Sequence, residues 1–307
     1  MTTVHFGLPA RRLAPRWLTI GSYDGVHHGH EKVIQRVLAG ARAGGVGSAL
    51  LTFDPHPRCV LAPDTCPPTL TTVDEKADLL GLLGVDDMVV WPFSRRVSEL
   101  TATEFMDRLV DRVPLAGLVI GHDFALGHGR AGNREFLTAY GAAHGFAVEV
   151  VEPVRLDGDV VSSTAIRALL LEGGVAHAAK LLGRHYSLSS FVEHGTGTGS
   201  RIGFPTANFA ITPNKLVPHQ GVYAVWVDIA GKAYQGAMNI GYRPTFGENR
   251  LTVEAFILDF EGDIYHQDVR ARFVQRIRDE KKFDSVDALV QQIAHDVDRA
   301  RAILRPA

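Results

Sequence analysis

Short apolar runs alternate with helical periods along the first half of the chain. The runs are residues 17–20, 49–53, 87–91, 118–121 and 148–151. Between them apolar residues recur every three or four positions, as they do on one face of a helix. Strands that alternate with helices predict an α/β domain with a mostly parallel sheet and helices on both faces. Thr72 with Glu75 and Thr101 with Glu104 have the spacing of a capping box and predict two helix starts.

The second half of the chain has a different pattern. Apolar and β-branched runs separated by Gly, Pro and Asn cover residues 188–193, 222–229, 233–240, 252–260 and 264–273. Such closely spaced strands predict a small antiparallel β-barrel. A last helix is predicted from Ser285, because apolar residues from Val286 to Val297 share one of its sides. We therefore predict two domains, residues 1–184 and residues 185–307.

Composition narrows the class of partner. The chain has 307 residues, of which 46% are apolar, and this is enough for two buried cores. The formal net charge is -2, and no run of Lys and Arg is interleaved with aromatic residues, so no nucleic-acid partner is expected. The sequence contains no stretch of about twenty apolar residues, so no membrane span is predicted. A small anionic ligand is the expected partner, and an oligomer remains possible.

The termini and the cysteines bear on the compartment. The N-terminus has no apolar run behind its charges, which predicts no leader segment and a cytoplasmic location. Cys59 and Cys66 lie in a Pro-rich segment, without a CxxC pair or a Cys/His spacing typical of metal ligands. We expect them to be spare thiols.

The most informative polar stretch is residues 19–30, TIGSYDGVHHGH, where an apolar strand turns into a helix. Gly21 and Gly25 permit the turn, and His27 and His30 then share one face of the first helical turn. Unpaired backbone amides and the positive end of the helix dipole point the same way, so this helix end suits a phosphate group. The alternative is that the two histidines only cap and pack the helix.

Two further segments place polar groups where a phosphate ligand would meet them. Ser163 and Thr164 open a predicted helix, with Arg167 one turn further on. This arrangement suits phosphate, although a plain helix N-cap also explains it. Asp123 follows the strand 118–121, at the edge where open α/β sheets bind ligands.

The second half carries oxygen donors of its own. Thr206 and Asn208 are two residues apart, so they share a face if the segment is extended. Their hydroxyl and amide oxygens suit Mg²⁺, which takes few protein ligands beside substrate phosphates. Glu254 alternates with apolar neighbours on a predicted strand, and the residues alone favour a solvated carboxylate over a general base.

Together these segments resemble one family. His27-x-Gly-His30 is similar to the HxGH motif of the nucleotidyltransferase superfamily, and DGVHHGH at 24–30 resembles its form in bacterial bifunctional riboflavin kinase/FMN adenylyltransferases, the FAD synthetases. The other segments follow in the family's order: TFDPHP (52–57), GHDFALG (121–127), SSTAIR (162–167), GFPTAN (203–208), GVY (221–223), NIGYRPTF (239–246) and Glu254. The resemblance implies a Rossmann-like HxGH nucleotidyltransferase domain, then a riboflavin-kinase β-barrel with a C-terminal helix.

In the first domain the resemblance implies an ATP site and a flavin site. The ATP site would contain Gly21, Tyr23, Asp24, His27, His30, Asp123, Ser163, Thr164 and Arg167. His27 and His30 would be the catalytic pair, as hydrogen-bond donors to the phosphates rather than as bases. Phe53 and His56 would help to form the flavin pocket, although a stiff proline-bounded loop explains that segment equally well.

In the second domain the resemblance implies a kinase site. ATP and Mg²⁺ would be bound by Thr206 and Asn208 with the loop glycines Gly195, Gly197 and Gly199, and Glu254 would take the ribityl hydroxyl proton. Arg278 and Phe283, in RDEKKF, would close over flavin, although a solvated charge run explains them equally well. The loop departs from the family's basic GxGRGR-like pattern at Thr198 and Ser200, so weaker ATP binding or kinase turnover is expected.

The expected function is therefore the conversion of riboflavin to FMN and of FMN to FAD, each step with ATP and Mg²⁺. Three alternatives are an adenylyltransferase that has lost its kinase activity, a flavin-binding regulator without turnover, and nucleotidyl transfer to another small phosphate such as phosphopantetheine. Glu254 with Thr206 and Asn208 argues against the first. The histidine pair argues against the second, because flavin binding alone needs no triphosphate site, and the barrel domain argues against the third.

Overall fold

The structure, a computed structural model, describes residues 1–194, 199, 202–245 and 248–305, with the backbone alone for 243–245 and 248–250. The chain divides into two compact units, residues 1–163 and residues 164–307. From Thr164 on, the helices α7 (Ser163–Leu171) and α8 (Val175–Leu182) belong to the second unit. The domain boundary at 184/185 stays a prediction.

A six-stranded sheet forms the centre of the first unit. Its strands are β1 (Thr3–Phe6), β2 (Arg16–Ile20), β3 (Gly47–Asp54), β4 (Asp87–Pro92), β5 (Leu115–Gly121) and β6 (Ala147–Val151). They are all parallel, in the order β1-β4-β3-β2-β5-β6. The five predicted strands and the parallel α/β arrangement are confirmed. The edge strand β1 was missed, because four residues are too few to show a period.

Helices cover both faces of this sheet. They are α1 (His28–Gly44), α2 (Pro57–Leu61), α3 (Val73–Leu83), α4 (Arg95–Ser98), α5 (Ala102–Arg112) and α6 (Arg134–His144), and a short hairpin of β7 (Arg155–Leu156) and β8 (Asp159–Val160) follows β6. Both predicted capping boxes are present, before α3 and before α5. Leu50 and Leu51 fall in different apolar clusters, one packed with α1 and α3 and the other with α5 and α6. Alternation along each buried strand therefore fills two cores.

The expectation that the cysteines are spare thiols is wrong, since Cys59 and Cys66 form a disulfide. The chain folds back between them, because α2 is followed by a 3₁₀ turn at Pro63–Thr65. This turn brings the two Cα atoms to 4.3 Å. A hydrogen bond from Arg58 Nε to Thr65 Oγ1, at 3.1 Å, spans the same loop.

The second unit contains a closed antiparallel barrel. Its strands are β9 (Tyr186–Glu193), β10 (Thr206–Phe209), β11 (Gly221–Ile229), β12 (Lys232–Thr245), β13 (Glu248–Ile257) and β14 (Asp268–Arg278), in the order β10-β13-β12-β11-β14-β9. The predicted barrel is confirmed, with two corrections. The strand predicted at 264–273 begins only at Asp268, because Tyr265 and His266 form a turn that closes with a bond from Gln267 N to Ile264 O. The segment at β10 was not counted among the predicted strands.

The barrel is filled by side chains on its inner face, among them the fully buried Tyr223 and Phe273. The predicted C-terminal helix (Val286–Ile303) is confirmed, with Ser285 as its N-cap. Its Val297 and Ala300 belong to an apolar cluster with residues of the outer barrel face, including Ala224. Over the described residues, no helix combines the length and the apolar character needed to cross a bilayer.

Candidate active sites

The segment at residues 21–30, which joins β2 to the first turn of α1 and which we call the HxGH turn, has an unusual backbone. Tyr23, Gly25 and Val26 have φ angles of 46°, 88° and 40°, in the left-handed region that a β-branched residue such as Val26 rarely adopts. His27 follows as the N-cap of α1, and its Nδ1 accepts the backbone N–H of His30 at 3.3 Å. Because Nδ1 accepts this bond, a neutral His27 ring carries its proton on Nε2, where it is a donor.

The structure brings the two predicted catalytic histidines together. The rings of His27 and His30 are stacked, with centroids 3.6 Å apart and planes 14° apart. The ring of Tyr23 lies 4.7 Å from that of His30 and its hydroxyl is hydrogen-bonded to Thr19. Burial raises the pKa of the Tyr23 hydroxyl, so this hydroxyl is neutral at physiological pH. Tyr23 thus fixes the histidine pair from the strand side of the turn.

The second predicted phosphate motif meets this turn at its first residues. Ser163 Oγ donates to the carbonyl oxygen of Asp24 at 2.8 Å. A Cβ on Gly29 would lie 3.1 Å from the ring of His27 and 3.5 Å from the carbonyl oxygen of Val161. The chain just before α7 therefore packs beside the HxGH turn. Thr164 and Arg167 belong to the second unit, and their role at ATP stays a prediction.

Asp24 has a clear structural role. Its buried carboxylate accepts hydrogen bonds from Leu70 N at 2.9 Å and from the backbone and hydroxyl of Thr71. These bonds fix the residues that lead into α3 against the HxGH turn. A contact of Asp24 with ATP stays a prediction.

Asp123 and Gly21 lie on opposite sides of the point where the strand order reverses. Gly21 follows β2 and Asp123 follows β5. These two strands are the central neighbours from which successive strands run outward in opposite directions. Open α/β sheets bind ligands in the crevice at such a point. The Asp123 side chain is 83% exposed, and Arg130 holds its loop by donating to the Asp123 carbonyl at 2.8 Å. This carboxylate is therefore accessible to a ligand.

The predicted flavin residues at the end of β3 have local partners. The Phe53 ring packs against Phe93 and Phe105, at centroid distances of 5.5 and 6.2 Å. His56 is the N-cap of α2, and its Nδ1 accepts the N–H of Arg58 at 3.1 Å. These contacts stiffen the loop, and flavin binding by Phe53 and His56 stays a prediction.

In the barrel, strand register assembles the predicted kinase residues. Asn208 on β10 lies directly opposite Glu254 on β13, and Thr206 Oγ1 is 3.5 Å from Glu254 Oε2. β10 is extended, so Thr206 and Asn208 share a face, as the sequence predicted. Two residues that were not predicted extend this row of polar residues across the barrel strands. Asn239 on β12 lies opposite Glu254, and Glu193 on β9 lies opposite Asn208. Only the register could have revealed these two neighbours.

Thr206 also lines a cleft of about 660 Å³. The cleft continues past Gly203 and Phe256 to the loop at 259–265, where Tyr265 stacks with His194 at 3.8 Å. Its size lies within the range of roughly 300–1,000 Å³ that is usual for small-molecule sites.

Gly199 lies close to this face of the barrel. A side chain on Gly199 would overlap the carbonyl oxygen of Phe204, and the Gly199 carbonyl accepts N–H groups from Ile202 and Phe204. Only glycine permits this close approach beside Thr206. Gly195 and Gly197 lie outside the described residues, as do Thr198 and Ser200.

Arg278 is part of a partly buried ion pair. Its guanidinium donates to the Asp296 carboxylate of the C-terminal helix, with the shortest distance 2.6 Å from Nη2 to Oδ2. The Phe283 ring lies beneath the same guanidinium, 5.9 Å away. The structure thus brings Arg278 and Phe283 together, and their contact with flavin stays a prediction.

Comparison with known proteins follows the same division of the chain. Residues 11–165 match the model of the FAD synthetase family, and residues 182–304 match that of riboflavin kinase. The chain is also similar to a crystal structure named Macrolide-efflux Protein from Streptococcus pneumoniae, with a TM-score of 0.88, 31% identity and 98% of each chain covered.

Named relatives cover almost the whole chain. A bifunctional riboflavin kinase/FMN adenylyltransferase of Pseudomonas fluorescens is 40% identical over 94% of this chain and 93% of its own length. The proteins of the same name from Listeria monocytogenes and Escherichia coli are 36% and 37% identical, over 93% and 92% of this chain and 91% of each relative. This chain belongs to the family of bifunctional riboflavin kinase/FMN adenylyltransferases.

Proposed function

We propose that this chain phosphorylates riboflavin to FMN on its barrel and adenylylates FMN to FAD at the HxGH turn. The observation that carries the proposal is that each unit has its own polar cluster of the required chemistry. The first unit has the stacked pair His27 and His30 at a helix N-terminus. The second unit has Glu254 among hydroxyl and amide groups on one barrel face.

In the adenylyl transfer, a phosphate oxygen of FMN forms a bond to the α-phosphorus of ATP. The bond from that phosphorus to the oxygen bridging to the β-phosphate breaks, and pyrophosphate leaves. Charge grows on the phosphate oxygens, so positioned donors stabilise the transition state and no enzyme nucleophile is needed. The Nε2–H of His27, the His30 ring and the first backbone amides of α1 would supply these donors.

In the kinase reaction, the ribityl hydroxyl oxygen forms a bond to the γ-phosphorus of ATP, and ADP leaves. The hydroxyl proton moves to the Glu254 carboxylate, which lies between two amide side chains, Asn208 and Asn239. A base is effective only within hydrogen-bond reach of the proton that it takes. The strand register keeps Glu254 beside Thr206, and Thr206 lines the 660 Å³ cleft, which would hold the nucleotide.

Mg²⁺ fits the residues of this barrel face. Within the part of the chain that the structure describes, no cluster of three His, Cys, Asp or Glu could hold a metal ion. Thr206 and Asn208 offer neutral oxygen donors instead, and such a set suits an ion that retains waters and binds mainly to substrate phosphates. When bound, the ion would neutralise charge on the ATP phosphates, while Thr206 and Asn208 orient it.

The cytoplasm stays the expected location, since both reactions consume ATP. The disulfide between Cys59 and Cys66 instead favours an oxidising compartment, because disulfides persist mainly in such compartments. The proposed partners are ATP, riboflavin and FMN.

The test is a time course of purified protein with excess ATP and Mg²⁺, started once from riboflavin and once from FMN, with the three flavins separated. FAD from both starting points is the expected result. FAD from FMN alone would mean that the barrel is no longer a kinase. No product from either would contradict the proposal and favour a flavin-binding protein.

A further inference from the structure

A buried lysine lies behind the proposed adenylyltransferase site. Lys76, near the start of α3, is only 6% exposed. Its ammonium donates to the carbonyl oxygen of Ser22 at 2.6 Å and to Thr52 Oγ1 at 2.9 Å. Lysine is rarely buried to this extent unless it is paired. Neither the adenylyl transfer nor the phosphorylation outlined above uses this residue.

The two acceptors belong to two different strand ends. Ser22 lies in the HxGH turn after β2, and Thr52 lies near the end of β3, one residue before Phe53. Thr52 Oγ1 itself donates to the Ser22 carbonyl at 3.0 Å. The three groups form a closed triangle, so the nucleotide-binding turn and the proposed flavin loop are tied together at one point.

Charge keeps this triangle in place. Burial is the largest influence on the Lys76 ammonium and lowers its pKa to about 8, while the carboxylates of Asp24 and Asp54 act in the opposite direction. Asp24 lies in the same turn as Ser22 and is itself buried. The ammonium is therefore mostly charged at neutral pH, and its removal would take one cation away from the buried Asp24 carboxylate.

We propose that Lys76 is a positioning residue for adenylyl transfer, which sets the distance between the HxGH turn and the end of β3. The inference rests on the proposed function of that turn. A displacement of about 1 Å between two reacting groups can cost about 100-fold in rate, so a tie between the two substrate loops has a large effect on the reaction.

The test compares Lys76→Met with Lys32→Met in the full chain. Lys32 is the other lysine of residues 1–163; it is exposed and donates to the carbonyl of Glu152. We expect Lys76→Met to lower kcat/KM for FAD formation from FMN by about 10- to 100-fold, with a clear rise in KM for ATP. Lys32→Met should leave both values unchanged, and riboflavin phosphorylation by the same chain should be normal in both variants.

A merely structural role would give a different result. Partial unfolding lowers the concentration of active enzyme, so kcat would fall while KM for ATP stayed at its wild-type value. That outcome would overturn the proposal. If His30→Ala leaves FAD formation intact, the proposed site itself is wrong. If His30→Ala abolishes FAD formation but Lys76→Met leaves the KM for ATP unchanged, the site stands and the positioning role fails.

A second variant decides the case if Lys76→Met does not fold. Thr52→Val keeps the shape of a buried side chain and removes one corner of the triangle. We expect a rise in KM for ATP of about 5- to 30-fold, in line with the loss of the two hydrogen bonds of the Thr52 hydroxyl, each worth about 0.5–1 kcal/mol. Where both variants fold, the double variant should be no worse than Lys76→Met alone, because both changes break the same tie. An unchanged KM in Thr52→Val, or additive losses in the double variant, would overturn the proposal.

Discussion

The HxGH turn and the kinase face of the barrel are built on opposite plans. In the first unit, His27 and His30 are three residues apart and one helix start positions them both. In the second unit, Glu193, Asn208, Glu254 and Asn239 come from four strands, and only the register aligns them. The first site therefore depends on a local turn and its supports, and the second on correct pairing across the barrel. Each site should fail independently of the other.

The largest expected effect is that of His30→Ala. Removal of one preorganised donor to a phosphate oxygen should lower FAD formation from FMN by about 1,000-fold. Formation of FMN from riboflavin should not change, because the kinase residues lie in the other unit. Both rates are read from separated flavins. The matched control is His128→Ala, since His128 is an exposed residue of a 3₁₀ turn. An equal loss of both activities would contradict the separation of the two sites.

Glu254→Gln should have the reverse effect. The amide keeps the size of the side chain and cannot take a proton, so FMN formation should fall by about 100-fold while FAD formation from FMN persists. The control is Glu172→Gln, because Glu172 is exposed in the same unit. Near-normal FMN formation in Glu254→Gln would mean that the base assignment is wrong.

Asp296→Ala tests whether Arg278 supports the barrel or contacts flavin. The change removes the carboxylate partner of a guanidinium whose side chain is only 14% exposed, so the free energy of unfolding should fall by about 3–5 kcal/mol in urea titrations of the full chain. The exposed Asp298 on the same helix gives the control, Asp298→Ala, which should change little. Unchanged stability together with a higher KM for riboflavin would instead assign Arg278 to the flavin site.

The smallest effect is a pH dependence that arises from Lys76. Its pKa is about 8 in the fold and near 10.5 when the chain is unfolded, so between these values the unfolded state binds more protons. The free energy of unfolding should therefore rise with pH, by about 2 kcal/mol between pH 8 and 10. Urea titrations should show this rise in the wild type relative to Lys76→Met. Equal pH dependence in the two proteins would show that Lys76 is not buried as a cation.

Above pH 10 the free energy of unfolding should fall as the pH rises. Burial raises the pKa of Tyr23, and burial with the nearby Asp107 raises that of Tyr140. Both hydroxyls ionise first in the unfolded chain, which favours unfolding. The rise in the free energy of unfolding that Lys76 causes should therefore be measured between pH 8 and 10.

The sequence predicted most where local rules apply. The strands β2 to β6, the two capping boxes and the paired histidines follow from periodicity and turn chemistry within a few residues. Long-range pairing was less accessible, which is why Asn239 and Glu193 were not expected beside Glu254 and Asn208. The disulfide was missed for a similar reason, because two cysteines seven residues apart reveal no geometry until the intervening turn is known.

The buried bonds of Asp24 and Lys76 show the same limit. From the sequence, the resemblance placed Asp24 in an ATP site and nothing singled out Lys76. Only tertiary packing gives Asp24 its bonds to Leu70 and Thr71, and Lys76 its bonds to Ser22 and Thr52. A charged residue within a predicted active-site loop thus has two possible roles, to contact the ligand or to position the loop. The structure shows the second role for Asp24.

The most direct test of two independent sites is a mixture of the His30→Ala and Glu254→Gln proteins, started from riboflavin with ATP and Mg²⁺. Neither variant alone should make appreciable FAD. In the mixture, FMN released by the His30→Ala protein should be adenylylated by the Glu254→Gln protein, so FAD should accumulate after a lag that shortens as protein concentration rises. FMN that accumulates in the mixture without any FAD would contradict the account.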